Sequence, residues 1–166
     1  MTLLPYPTIL FDWGDTVMID NPASQVPMVE WETVEAVQGI DSVLEYLHSS
    51  GRRNVLATSA SISDESQIRG ALARADLDKY FSHIYCFKNT GLPKGEDFYI
   101  HILADLDIPA SEVLMVGDGF EKDVLAANNT DIFAVWFNPR SDETRSSEQL
   151  ATVHSMAELL LFFMSL

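Results

Sequence analysis

The chain has 166 residues, 47% of them hydrophobic, with 25 acidic side chains against 10 basic ones and a formal net charge of −15. That length supports one well-buried core, and the hydrophobic share excludes a disordered chain. The charge disfavours nucleic acid and anionic membrane surfaces as partners, because long-range repulsion opposes encounter; a solvated acidic surface is its simplest meaning, and some of the acid is available to hold a cation.

The elements alternate between strand-like and helical patterns. A first strand is predicted over Thr8 to Phe11, ending on Asp12. A polar, Pro-bearing stretch from Asp20 to Pro27 precedes a helix that carries Val43, Leu44 and Leu47 on one face and stops at Gly51. The second strand, Asn54 to Ala57, ends on Thr58, and a helix from Asp64 to Ala75 follows with Ser61 or Ser63 as candidate cap. The third strand is placed over His83 to Phe87. The Gly91-Leu92-Pro93 loop then delivers Lys94 to a helix from Glu96 to Leu106. The fourth strand, Val113 to Val116, ends on Gly117-Asp118, and a helix is expected from Glu121 to Asn128. A fifth strand over Ile132 to Phe137, a surface loop from Asn138 to Gln149, a short strand near Thr152 and a helix from Met156 complete the pattern.

This alternation reads as an α/β doubly wound three-layer sandwich with a mainly parallel sheet, in a single domain over residues 1–166. The lone Cys86 sits in an apolar run and reads as a core thiol, with no intrachain disulfide. The N-terminus has no basic, apolar leader, and the Leu159 to Met164 run is too short to span a bilayer, so a cytoplasmic setting is expected.

In an open parallel sheet the carboxyl ends of the strands share one edge, where ligands bind. Asp12, Thr58, Lys94 and Asp118 all follow strand-like runs, so they are expected to converge there. Taken singly, each has an ordinary explanation: the aspartates as caps or turn residues, Thr58 as a strand-end hydroxyl, Lys94 as a solvated lysine. Their joint order is more specific. Phe11-Asp12-Trp13-Gly14-Asp15-Thr16-Val17, then Thr58, Lys94 and Gly117-Asp118-Gly119-Phe120-Glu121-Lys122-Asp123, resembles the haloacid dehalogenase-like (HAD) superfamily from Ile9 to about Phe137.

The resemblance implies a phosphohydrolase in which Asp12 attacks phosphorus and forms an aspartyl-phosphate. It implies Mg²⁺ held by Asp12, the backbone carbonyl of Gly14 and Asp118, with Asp123 as a further ligand or a partner of one. Thr58 and the amide of Ser59 would bind phosphate oxygens, and Lys94 would neutralise the nucleophile and the transferring group. The substrate would be a phosphorylated small molecule or macromolecule.

Two features depart from the family pattern. Phosphatases of this superfamily usually carry an acid–base Asp two residues after the nucleophile; here that residue is Gly14. Asp15 is the nearest displaced carboxylate, and if proton transfer is the gap, Gly14→Asp is expected to raise turnover. There is also no room between Thr16 and Asn54, or between Ser59 and Lys94, for a cap domain. An uncapped cleft suits a bulky substrate, or a lid from a second subunit in a homo-oligomer; the Asp20–Pro27 loop is the local lid candidate. The competing reading is a HAD-fold binding or regulatory protein with little turnover, favoured by Gly14. A phospho-acceptor receiver domain fits less well, because Lys94 precedes Asp118 here and comes last in that arrangement.

Overall fold

The computed structural model describes residues 3–166. Six strands form one sheet in the order β3-β2-β1-β4-β5-β6, every neighbouring pair parallel. They are β1 (Thr8–Phe11), β2 (Arg53–Ala57), β3 (Phe81–Tyr85), β4 (Val113–Gly117), β5 (Phe133–Phe137) and β6 (Leu150–Val153). The helices are α1 (Ile40–Ser49), α2 (Glu65–Arg74), α3 (Phe87–Thr90), α4 (Glu96–Leu106), α5 (Ala126–Asn128) and α6 (Met156–Met164).

Alternation along the strands builds two cores, because successive side chains leave opposite faces of the sheet. Ile9 and Phe11 of β1 join Leu56, Leu114 and Val116 against α1, α2 and α6, through Leu44, Leu47, Ile68, Leu72, Leu159 and Phe163. Leu10 points the other way, with Val55, Met115 and Ala134, against Phe98, Tyr99 and Ile102 of α4. The strands read as continuous apolar runs since both faces are covered.

The expected doubly wound sandwich is therefore present, with small corrections. Strand β3 ends at Tyr85, two residues before the expected Phe87. Cys86, buried as expected, instead opens α3. Helix α2 is capped by Asp64 and not by Ser61 or Ser63: its side chain accepts from the Gln67 amide while Gln67 Oε1 accepts from the Asp64 amide. The expected helix at 121–128 is a wide π-helical turn over Phe120–Leu125 that tightens into α5. Among the described residues no helix is long and apolar enough to cross a membrane, and no domain is inserted between β1 and β2 or between β2 and β3.

The strand order reverses at β1, which lies between β2 and β4. The crevice of such a sheet opens beyond the carboxyl ends of the strands at that reversal.

Candidate active site

Asp12 leaves β1 with its amide still on the ladder, donating to the Val116 carbonyl at 2.9 Å. That bond fixes its side chain over the reversal point. Asp118 follows the end of β4. Asp123 returns from the π-helical turn, whose Asp123 amide donates to the Gly119 carbonyl (2.8 Å) while Asp123 Oδ2 accepts from the Gly119 amide (2.8 Å). Gly117 makes this approach possible: a Cβ there would collide with the Asp123 carboxylate. One oxygen from each of Asp12, Asp118 and Asp123 falls within 4.8 Å of the others.

Lys94 enters from the chain just before α4, and its side chain is only 1% exposed. Its Nζ donates to Asp12 Oδ1 at 2.9 Å and pairs with Asp123 Oδ1 at 2.5 Å. Burial alone would lower the Lys94 ammonium, but the two carboxylates overcome it and hold the group above its ordinary value. The carboxylates respond to the crowding in turn. Burial, then the neighbouring Asp12, raises Asp118, opposed by Arg140. Asp123 is raised by burial and the Asp12 charge despite Lys94. Three carboxylates against one buried ammonium leave the cluster short of positive charge, and hard oxygen donors suit Mg²⁺. The residues present therefore fit the metal that the sequence implies.

The loop after β1 folds tightly, the Trp13 carbonyl accepting from the amides of Val17 and Met18 at 2.9 and 3.0 Å. This buries Thr16, whose Oγ1 lies 3.3 Å from Asp12 Oδ2 and 3.4 Å from Asp118 Oδ1. Trp13 packs in the core and also lines the crevice. Asp15 sits at φ +59°, a left-handed turn conformation that Asp tolerates. Its carboxylate is engaged on both oxygens: Oδ1 accepts from the Asp20 amide (3.0 Å) and Oδ2 pairs with Arg140 (3.2 Å). Arg140 also reaches Asp118 Oδ2 at 3.2 Å.

The crevice is a cavity of about 420 Å³ floored by Asp12, Gly14 and Asp118 and open to solvent. Thr58 and Ser59 form one wall. Thr58 is buried, its amide donating to the Tyr85 carbonyl and its Oγ1 accepting from the Ala60 amide at 3.0 Å, so its hydroxyl proton remains free to donate. The opposite wall is the 20–31 segment, including Asp20, Val26, Met28 and Trp31. The Asp20–Pro27 loop, the local lid candidate, thus lies within this wall. Asp20 stays accessible at the rim, where partial burial, opposed by the Asn21 amide and aided by Asp15 and Asp12, raises its carboxyl.

Asp12, Thr58, Ser59, Lys94, Asp118 and Asp123 are all brought to one place, with the backbone of Gly14 beside them. Sequence reasoning missed Thr16, Asp20 and Arg140. Thr16 stood inside the quoted first motif, four residues after Asp12. Arg140 lay in a segment read only as surface loop, and Asp20 in one read only as lid; neither carried a local signal.

Fold and site together define a hydrolase-like α/β protein with a carboxylate–lysine cluster at the sheet's reversal point. The sequence profile of the haloacid dehalogenase-like hydrolase family matches residues 15–137, and the chain belongs to that family. The match covers Thr58, Lys94, Asp118 and Asp123 and begins after Asp12, so the place of Asp12 rests on the geometry. Among curated proteins, the chain is 32% identical over 124 residues to ribulose-1,5-bisphosphate 5-phosphatase from Halopiger xanaduensis, covering 73% of this chain and 51% of that protein. The chain thus spans about half the length of that relative. Among solved structures, an uncharacterized protein from Listeria monocytogenes serotype 4b superposes with a TM-score of 0.78 at 24% identity, covering 96% of this chain and 99% of the other. The putative HAD-hydrolase YfnB from Bacillus subtilis, bound to magnesium, gives 0.75 at 13%, covering 96% and 99%. At these identities the structures share the fold.

Proposed function

We propose that the chain is a Mg²⁺-dependent phosphohydrolase that cleaves phosphoric monoesters through an aspartyl-phosphate on Asp12. One observation carries the reading: Asp12 stands in an open crevice with one oxygen on a buried ammonium, the other beside Thr16, and two further carboxylates adjacent. Family membership and the phosphatase among its curated relatives support it, as does a magnesium-bound protein of the same fold.

One oxygen of Asp12 would attack phosphorus while the other would face the metal; Oδ1 is paired with Lys94 and Oδ2 lies beside Thr16. Lys94 orients Asp12 and offsets its charge, and through Asp123 it is itself held in place. The Thr58 hydroxyl and the Ser59 amide would receive the equatorial phosphate oxygens, fixed donors aimed at developing charge. Asp12, Asp118, Asp123 and the Gly14 carbonyl would hold Mg²⁺, which when bound supplies the positive charge that lets two anions approach. The open mouth admits a small phosphorylated metabolite or the exposed phosphoester of a larger molecule.

The test is phosphate release from a panel of phosphomonoesters with Mg²⁺ or EDTA, for the wild type and Asp12→Asn. The expected result is metal-dependent release that Asp12→Asn abolishes without loss of fold. Gly14 favours a binding protein with little turnover as the second reading. Phosphate binding with no release from any ester would establish that reading instead.

A further inference from the structure

We propose that Asp20 is the proton-transfer carboxylate of this site, replacing the side chain that position 14 lacks; the proposal rests on the phosphohydrolase reading above. A Cβ built on Gly14 would lie 3.1 Å from Asp20 Oδ2 and 3.2 Å from both Cβ and Cγ of Asp20. The volume that a side chain at position 14 would enter is therefore already filled, and by a carboxylate. The tight loop produces this. The chain doubles back at Trp13 to Met18, Gly14 bridges Met18, Met18 bridges Ala36, and the Ile19 amide donates to the Glu35 carbonyl at 2.8 Å.

Asp20 then turns over Gly14, anchored through its amide to Asp15 Oδ1 (3.0 Å) and through its own Oδ1 to the Asn21 amide (2.8 Å). Its Oδ2, the oxygen nearest position 14, accepts no hydrogen bond from the described residues. Asp20 also lines the same cavity as Asp12. Asp15 lacks this freedom, since both its oxygens are engaged. The expectation that Gly14→Asp raises turnover is accordingly reversed: the new carboxylate would meet an existing one.

The proton balance is simple. In the first step Asp12 bonds to phosphorus, the bond to the leaving oxygen breaks, and protonated Asp20 gives its proton to that oxygen, releasing the alcohol. In the second, Asp20 as carboxylate takes a proton from water as the water oxygen bonds to phosphorus. The Asp12–phosphorus bond breaks, phosphate leaves, and both aspartates return to their starting states.

The experiment compares Asp20→Asn, Gly14→Asp, Gly14→Asp with Asp20→Gly, and Asp20→Gly alone, on one alkyl and one nitroaryl phosphate with Mg²⁺. Glycine is chosen at position 20 because the Asp20 Cβ itself crowds position 14. Asp20→Asn should lower alkyl ester turnover about 10²–10⁴-fold. With the nitroaryl ester, whose leaving group needs no proton, phosphoenzyme should still form and then accumulate, visible by mass spectrometry after acid quench. Gly14→Asp alone should not exceed wild-type turnover, and the double variant should exceed Asp20→Gly on the alkyl ester at least about tenfold. Wild-type alkyl turnover in Asp20→Asn overturns the proposal. So does an equal loss on both esters with no phosphoenzyme, which is the signature of a displaced loop, and so does a gain in Gly14→Asp alone. Asp12→Asn separates the levels: if it is inactive while Asp20→Asn is unimpaired, only this proposal falls, whereas if it retains turnover the reading beneath falls as well.

Discussion

Lys94→Met is the perturbation that tests the architecture of the site most sharply. The substitution keeps an unbranched stem in a position whose side chain is 1% exposed, and removes the ammonium that pairs with Asp12 and Asp123. Removing one partner of a buried pair costs about 3–5 kcal/mol, because the remaining charge is left without compensation. For a chain of this length each kcal/mol moves the melting temperature by roughly 2–4 °C, so the expected drop is about 6–20 °C in EDTA at pH 7.5. Millimolar Mg²⁺ should recover part of it, since a cation at one hundred times its dissociation constant stabilises by about 2.7 kcal/mol. Thermal unfolding followed by circular dichroism, with EDTA and with Mg²⁺, reads both effects. A variant that melts within about 2 °C of wild type in EDTA would refute the view that Lys94 neutralises this cluster.

The remaining expectations concern pH, phosphate and packing. Burial raises Asp118 to about 7 and Asp123 to about 6 in the fold, so the native state holds protons that the unfolded chain has already lost. Their contribution to stability is full below the ordinary carboxylate range and is lost as pH rises through those values. The melting temperature in EDTA should fall between pH 5 and pH 8, and Asp118→Asn should flatten the slope; a rise would contradict the shifts. Thr58→Val should weaken inhibition by inorganic phosphate severalfold and cost about 1 kcal/mol through the Ala60 bond, with an unchanged phosphate inhibition constant as the opposing result. Gly117→Ala should displace Asp123 and break its pairing with Lys94, so its Mg²⁺-induced rise in melting temperature should vanish. Retention of that rise would show that Asp123 has room to spare.

Much of this protein was legible in its sequence because its signals are local. Strand β1 ends at Phe11, just before Asp12, and α4 runs from Glu96 to Leu106 as the apolar runs and helical spacing indicate. The convergence of Asp12, Thr58, Lys94 and Asp118 followed from the geometry of a parallel sheet, whose carboxyl ends share one edge, whereas Asp123 was legible only through the family resemblance. What stayed hidden depends on how the chain turns between elements. Asp64 displaced the serines as cap of α2 because the Gln67 side chain could answer it, which a search for serine alone overlooks. Asp20 reaches Gly14 only through a tight loop and two isolated bridges, and nothing in the 14–20 sequence specifies that return. Arg140 acts across 125 residues of sequence on Asp15 and across 22 on Asp118, contacts that no local pattern encodes.

The central claim is that Asp12 carries the phosphoryl group during turnover. Its direct measurement is rapid acid quench of the protein turning over a phosphomonoester with Mg²⁺, followed by mass spectrometry of the peptide that contains Asp12. The account expects one phosphoryl group on Asp12 in the wild type and none on that peptide in Asp12→Asn. Phosphate release that continues in Asp12→Asn, with the Asp12 peptide unmodified in the wild type, would contradict it.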